Sequence, residues 1–353
     1  MPRVRARMGA AGVLLRVAGL AAVVALVAAA VGWWYVMERS EHRVEPGKPV
    51  QVEIPSGAGA AEIGELLAER GVVRSAVRFR LEVRRAGAGS GLRAGVYELT
   101  TGMSYDAVIE RLRSGPPVVH VTLAVPEGFT VEQVASRVET VCGIPAAEFL
   151  ALAKGGGGRF EAGHPYLADA YQGSLEGYLF PKTYRVPQGA GAEDVIGMLL
   201  EQFDKETASL DLRVPESRGM NLHDVVTLAS MIERETSVAE ERALVSSVIY
   251  NRLRKGMRLE IDATIEYVLP GNRFRLRNSD LETDSPYNTY RHDGLPPGAI
   301  GNPGLECLKA ACEPADTDYI YYVLTGKDGS HTFARTWDEF LAAKRESKRV
   351  FGR

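Results

Sequence analysis

A surplus of charge of either sign is missing from this chain of 353 residues: 42 basic side chains face 45 acidic ones, a net charge of −3. Without a basic excess there is no electrostatic footprint for nucleic acid. Cysteine is scarce. Cys142, Cys307 and Cys312 are odd in number and cannot all pair in a disulfide framework. If Cys307 and Cys312 share a helix, their spacing points them about 140° apart, too divergent for an easy bridge, so all three read as small buried hydrophobes. Zinc-type Cys/His spacing is also lacking, as is a phosphate-cradling loop. The four glycines at 155–158 lack the strand and helix such a loop needs and read as a flexible connection. Metal, cofactor and nucleic acid are therefore not expected.

The length suits about two folded units plus an appendage. The appendage is N-terminal: from Val17 to Met37 no residue is charged, and the run is long enough to cross a hydrocarbon core of about 30 Å. Arg3, Arg5, Arg7 and Arg16 precede it without an acidic residue, which keeps the N-terminus in the cytoplasm. A cleaved signal peptide is the competing reading. The apolar run is longer than an ordinary h-region, and Trp33, Trp34 and Tyr35 at its exit are unlike a small-residue cleavage site. The expected division is a tail at 1–16, a transmembrane helix at 17–37, a linker at 38–48, a first region at 49–140 and a second at 141–345, with everything after the helix outside the cytoplasmic membrane.

In the first region PVQVEIPSG reads as a strand ending in a turn, and Ile63, Leu66 and Leu67 recur at helical spacing before a capping Gly71. A helix over Ser75–Arg85 follows. Residues 118–140 repeat the strand-turn-helix theme, with Pro-Glu-Gly at 126–128 where Pro-Ser-Gly stands at 55–57. Such units resemble the LysM-like fold that binds N-acetylated glycans; a generic α+β module fits the same pattern.

The stretch LEGYLFPKTY, residues 175–184, sets one acid, Glu176, among apolar and aromatic neighbours. Lost hydration favours its protonated form and suits it to donate a proton near neutrality; a paired structural carboxylate is the plainer alternative. If the run is extended, Glu176, Tyr178 and Phe180 share one face, and Gly177 lets a substrate approach the backbone. From Leu222 to Lys255 two apolar stripes predict two packed helices joined near 236–239, whose charged residues read equally as a solvated surface. MRLEIDATIEYVL opens as a strand at Leu259 and Ile261. Residues 285–304, SPYNTYRHDGLPPGAIGNPG, have the rings and hydrogen-bonding side chains of a saccharide cleft, and long ordered loops are commonly functional. A helix, a hairpin carrying His331 and a charged helix over 336–349 close the chain.

LEGYLFPKTY, LASMIERET, VSSVIYNRLRKGMRLEIDATIEY, SPYNTYRHDGLPPGAIGNPG and SHTFARTW occur in the order and approximate spacing of the endolytic murein transglycosylase family, the YceG-like proteins, which this chain resembles over nearly its whole length. The resemblance implies an α+β protein with a single N-terminal transmembrane helix, a LysM-like module and a mixed α+β catalytic domain. It would cut peptidoglycan glycan strands internally, leaving 1,6-anhydro-N-acetylmuramic acid ends and ending nascent strands, with peptidoglycan synthases or elongation proteins as partners. The family's catalytic glutamate falls on Glu176. Its other signature positions fall on Glu233, Glu235, Asn251, Asp262, Tyr287, Asn288, Thr289, Tyr290 and His331, with Tyr178 beside them, and these are expected to bind substrate. Tyr178 stands where the family commonly has Trp, Ala263 where Pro often follows the Asp, and Asp338-Glu339-Phe340 where His-Asn is frequent. The rival readings are a hydrolytic muramidase with Glu233 or Asp262 as second carboxylate, and a wall-binding scaffold without catalysis.

Overall fold

The structure, a computed structural model, describes residues 10–39, 45–117, 119–269, 271 and 276–352. It is mixed α+β. Helix α1 (Ala10–Arg39) carries the apolar run, with side chains described for 17–33 and 35, all exposed. Among the described residues no helix is long and apolar enough to cross a membrane. The side chains of 34, 36 and 37, at the end of the expected span, lie outside the described residues, as do 1–9 and 40–44 of the expected tail and linker.

Two compact units divide the chain at 118/119. In the first, β1 (Pro49–Ile54), α2 (Ala60–Glu69), α3 (Ala76–Arg85), β2 (Gly95–Thr100) and α4 (Tyr105–Ser114) follow one another. β1 and β2 pair antiparallel with Val52 opposite Tyr97. Alternation along β1 turns Val52 and Ile54 inward, where they meet Ile63 and Leu67 of α2, Phe79 and Val83 of α3, and Val108 and Leu112 of α4. Ser75 and Ser104 cap α3 and α4 by accepting the Arg78 and Ala107 N–H groups.

The second unit takes in residues the sequence assigned to the first region. β3 (His120–Ala124) pairs antiparallel with β4 (Thr183–Pro187), not with β1 or β2. α5 (Val131–Cys142) buries Val131, Val134, Ala135 and Val138 in the second core. The boundary therefore lies at 118/119 where local pattern suggested 140/141, because similar strand-turn-helix sequences found different partners.

α5 packs on α6 (Ala146–Ala153), and α6 on α7 (Ala192–Thr207). After the short α8 (Arg213–Glu216), α9 (Leu222–Glu235) is buried at every position from Val225 to Ile232, more than the single stripe expected. α10 (Arg242–Arg254) and α12 (Leu305–Cys312) pack on it and on each other. The expected strand start at Leu259 and Ile261 does not form; those residues are irregular chain leading into helix α11 (Asp262–Val268). The hairpin of β5 (Tyr321–Leu324) and β6 (His331–Ala334) rests on α13 (Trp337–Phe351). All three cysteines are free thiols; Cys307 and Cys312 are buried and Cys142 is half-buried.

Candidate active site

The segment around Glu176 is a turn and not a strand: all six residues from Leu175 to Phe180 are buried, with no alternation. The Tyr178 N–H donates to the Leu175 carbonyl, and Gly177 adopts a φ of +92°. A Cβ at Gly177 would lie 2.6 Å from both the Ala299 Cβ and the Val226 Cγ1. Gly177 thus admits α9 and the 285–304 loop, where the sequence suggested an approaching substrate.

The turn delivers the Glu176 carboxyl to the N-terminus of α5. Its two oxygens lie 3.1 and 3.2 Å from the Val131 nitrogen, whose N–H is one of the donors a helix leaves unpaired at its start. Tyr267 on α11 donates its hydroxyl to Oε2 at 3.2 Å, and Asn302 its amide to Oε1 at 3.4 Å. The carboxyl is 5% exposed, and burial pushes its pKa up to about 8. The Val131 N–H opposes that rise, the charge of Glu132 adds to it, and Tyr267 and Lys154 oppose it in smaller measure. At neutral pH the group carries a proton it can donate.

Tyr267 also lines a cleft of about 620 Å³ together with Thr130, Glu132, Arg234, Glu266 and Ile300. The Tyr287 ring lies 5.1 Å from that of Tyr267 and 6.1 Å from that of Tyr171. Burial, with the charge of Glu176, raises the Tyr287 phenol to about 12. Of the residues the sequence singled out, Glu176 and Tyr287 meet here.

The others are engaged elsewhere. Tyr178 is 1% exposed; its hydroxyl lies 2.8 Å from His223 Nδ1, and His223 Nε2 donates to the Pro297 carbonyl. Glu233 accepts the N–H of Gly304, the residue before α12, at 2.9 Å. Glu235, raised by burial to about 7, accepts the Tyr322 hydroxyl at 3.0 Å. Asn251 donates to the Thr317 and Tyr319 carbonyls at 2.7 and 3.0 Å. Asp262 accepts the Tyr290 hydroxyl. Asn288 donates to the carbonyls of Leu281 and Thr283, and Thr289 accepts the Ile261 N–H at 2.9 Å, so both order the loop from within. His331 Nδ1 lies 2.7 Å from Glu241.

Four groups escaped the sequence reading. The Val131 N–H is invisible in any one-letter pattern. Tyr267 ends the motif VSSVIYNRLRKGMRLEIDATIEY without being singled out as a site residue. Asn302, wholly buried, donates to the Phe129 carbonyl and accepts the Leu179 N–H, holding the turn against the 285–304 loop; its place in GNPG was the available signal. Glu132 is the carboxylate on the cleft whose charge reaches Glu176, the position expected of Glu233 or Asp262. Burial raises it, but the Lys154 ammonium 2.5 Å away, a backbone N–H and the Thr130 hydroxyl bring it below the usual range.

Comparison with known proteins places the chain in a family. The endolytic murein transglycosylase of Bacillus subtilis (strain 168) is 33% identical over 309 residues, covering 84% of each chain. The protein of that name from Streptococcus pneumoniae (strain ATCC BAA-255 / R6) is 30% identical over 317 residues, 83% of this chain and 57% of that one. The crystal structure of a yceG-like protein from Listeria monocytogenes is similar at a TM-score of 0.59 and 32% identity, over 84% of this chain and 99% of that chain. With residues 52–346 matching the YceG-like family, a span that includes the Glu176 turn, the cleft and both hydrophobic cores, the chain belongs to that family.

Proposed function

We propose that this protein is an endolytic lytic transglycosylase of peptidoglycan, cleaving the β-1,4 bond between N-acetylmuramic acid and N-acetylglucosamine within glycan strands. The observation that carries this is one carboxyl, buried and protonated near neutrality, beside a tyrosine-lined cleft. The Glu176 proton goes to the bridging oxygen as the bond to the anomeric carbon breaks. The resulting carboxylate takes the proton of the muramyl C6 hydroxyl, whose oxygen bonds to that carbon within the same sugar. The product is a 1,6-anhydro end. No water is consumed, and proximity supplies what a second carboxylate otherwise would. The Val131 N–H and Tyr267 hydroxyl stabilise the carboxylate between the two transfers, and Tyr287 offers a ring for a sugar face.

Glu132 on the cleft gives a hydrolytic muramidase its specific support, as the second carboxylate such an enzyme needs. Labelled water separates the two: a muramidase places solvent oxygen in a reducing end, and a transglycosylase does not. Glu176→Gln is expected to lower release of anhydro-muropeptides from purified murein by about 10²–10⁴-fold, read by mass spectrometry. Undiminished release by that variant rejects the mechanism, and binding to sacculi without any shortening of chains by the unaltered protein would leave a scaffold.

The β-α-α-β order of the first unit supports reading it as a LysM-like glycan-binding module. The uncharged, exposed stretch 17–33 of α1, preceded by four arginines, supports a single-pass anchor with the N-terminus in the cytoplasm and the chain after α1 outside the inner membrane. An enzyme so placed meets nascent strands, with peptidoglycan synthases or elongation proteins as its expected partners.

A further inference from the structure

A second cavity, of about 520 Å³, opens in the same unit between α9, α10 and the 285–304 loop, with none of the residues lining the Glu176 cleft. Met220, Tyr250 and Leu253 give it an apolar floor and Pro296 and Pro297 a stiff wall. Its size is that of a ligand site. Two guanidiniums reach it, Arg218 and Arg254, against one carboxylate, Asp224, which already accepts the Asn221 N–H at 3.0 Å in the cap of α9. Arg254 gives one N–H to Asn251, and among the described residues its other donors have no side-chain partner. Among the described residues no side-chain group pairs with Arg218, which is exposed. The pocket is therefore locally positive in a chain whose net charge is negative, and its free donors match a carboxylate.

One loop walls both cavities. Pro297 lines the second and Ile300 the first, and three extended residues span at most about 10 Å. A Cβ on Gly298, between them, would stand 3.2 Å from the hydroxyl of Tyr287, whose ring packs on that of the cleft residue Tyr267, and 3.7 Å from Cε1 of His223, which lines the second cavity. The muramyl sugar of peptidoglycan carries a short peptide with free carboxylates, and about five residues of peptide reach about 15 Å.

We propose that the second cavity is a subsite for the carboxylate-bearing peptide side chain of the glycan, taken up while a neighbouring sugar bond lies at Glu176. This rests on the peptidoglycan reading above and adds a discrimination to it: the enzyme prefers strands that carry peptides over strands stripped of them. The aliphatic parts of the peptide lie on Tyr250 and the prolines, and its carboxylate meets Arg218 and Arg254.

The test compares kcat/KM on peptide-bearing strands with kcat/KM on strands stripped of peptide by an amidase. For Arg218→Glu the ratio is expected to fall at least fivefold. Lys255→Glu makes the same charge reversal next to the pocket without lining it and is expected to change the ratio less than twofold. Thermal unfolding checks that both variants fold. Binding of the free peptide, followed by titration calorimetry, is read in parallel and requires no turnover; Arg218→Glu should weaken it at least fivefold. An unchanged ratio with both substrates cut overturns the subsite while leaving the transglycosylase intact. If the unaltered chain cuts neither substrate, the enzymatic reading fails, and calorimetry decides the pocket: peptide binding that is absent or indifferent to Arg218→Glu overturns it.

Discussion

Replacing Tyr267 by Phe keeps the ring that lines the cleft and removes one hydrogen bond to Glu176. That hydroxyl is 3.2 Å from Oε2, and burial together with the charge of Glu176 pushes the phenol far above its ordinary pKa, so it stays a donor across any practical range. A hydrogen bond to a charged group contributes about 1.5–3 kcal/mol, and each pKa unit corresponds to about 1.4 kcal/mol. The distance is long for a charged acceptor, and a protonated carboxyl still accepts weakly from the same hydroxyl. The low end applies, giving about one pH unit. The sign follows from which form loses its partner: the carboxylate does, so the pKa rises from its present value of about 8. The acid form then persists to higher pH. In a pH profile of kcat/KM for release of anhydro-muropeptides, the alkaline limb of Tyr267→Phe should lie about one pH unit above that of the unaltered protein. A limb that stays in place, or moves down, refutes the claim that Tyr267 stabilises the charged form of the acid.

Gly177→Ala combines a positive φ, about 1–2 kcal/mol for a side chain, with overpacking of about 1–3 kcal/mol against Val226 and Ala299. Calorimetry should show the second unit melting roughly 5–15 °C lower; an unchanged Tm means the turn relaxes freely. Because burial raises Glu176 to about 8 and Glu235 to about 7 from an ordinary value of 4.5, the folded chain holds these protons more tightly than the unfolded one. Their contribution to stability is complete below about pH 4.5 and is lost as pH climbs to about 8, so Glu176→Gln should gain stability relative to the unaltered protein over that window in denaturant titrations. A constant difference from pH 5 to 8 contradicts the raised pKa. Asn251→Ala strands two loop carbonyls and should reduce stability by about 1–3 kcal/mol with KM within about twofold; a tenfold rise in KM would return Asn251 to the substrate.

The acid and the helices were legible because their signals are local. Glu176 stands out by its apolar neighbours alone, and α9 and α10 by periodicity. The turn at 175–180 was not legible, since a buried turn and a buried strand share a composition and the positive φ of Gly177 leaves no mark on alternation. The expected strand start at Leu259 and Ile261 did not form, because alternation over so few residues does not exclude irregular chain, and Asp262 directly opens α11, where Ala263 to Ile265 bury as a helical turn. The division at 118/119 depends on β3 finding β4 some sixty positions on, a pairing no short pattern encodes. The motif residues Asn251, Asn288 and Thr289 were visible as polar side chains in a turn-rich setting, but many of their partners are backbone groups, and a carbonyl has no letter.

The groups that surround the Glu176 carboxyl come from far along the chain: Val131 is 45 positions before it, Tyr267 is 91 after and Asn302 is 126 after. Contacts of such separation close late in folding, and the last of them must await emergence of residue 302 during synthesis from the N-terminus. A chain interrupted before that point would hold the acid without the asparagine that seats its turn, so a truncated product carries the motif yet is not a competent cutter of the wall.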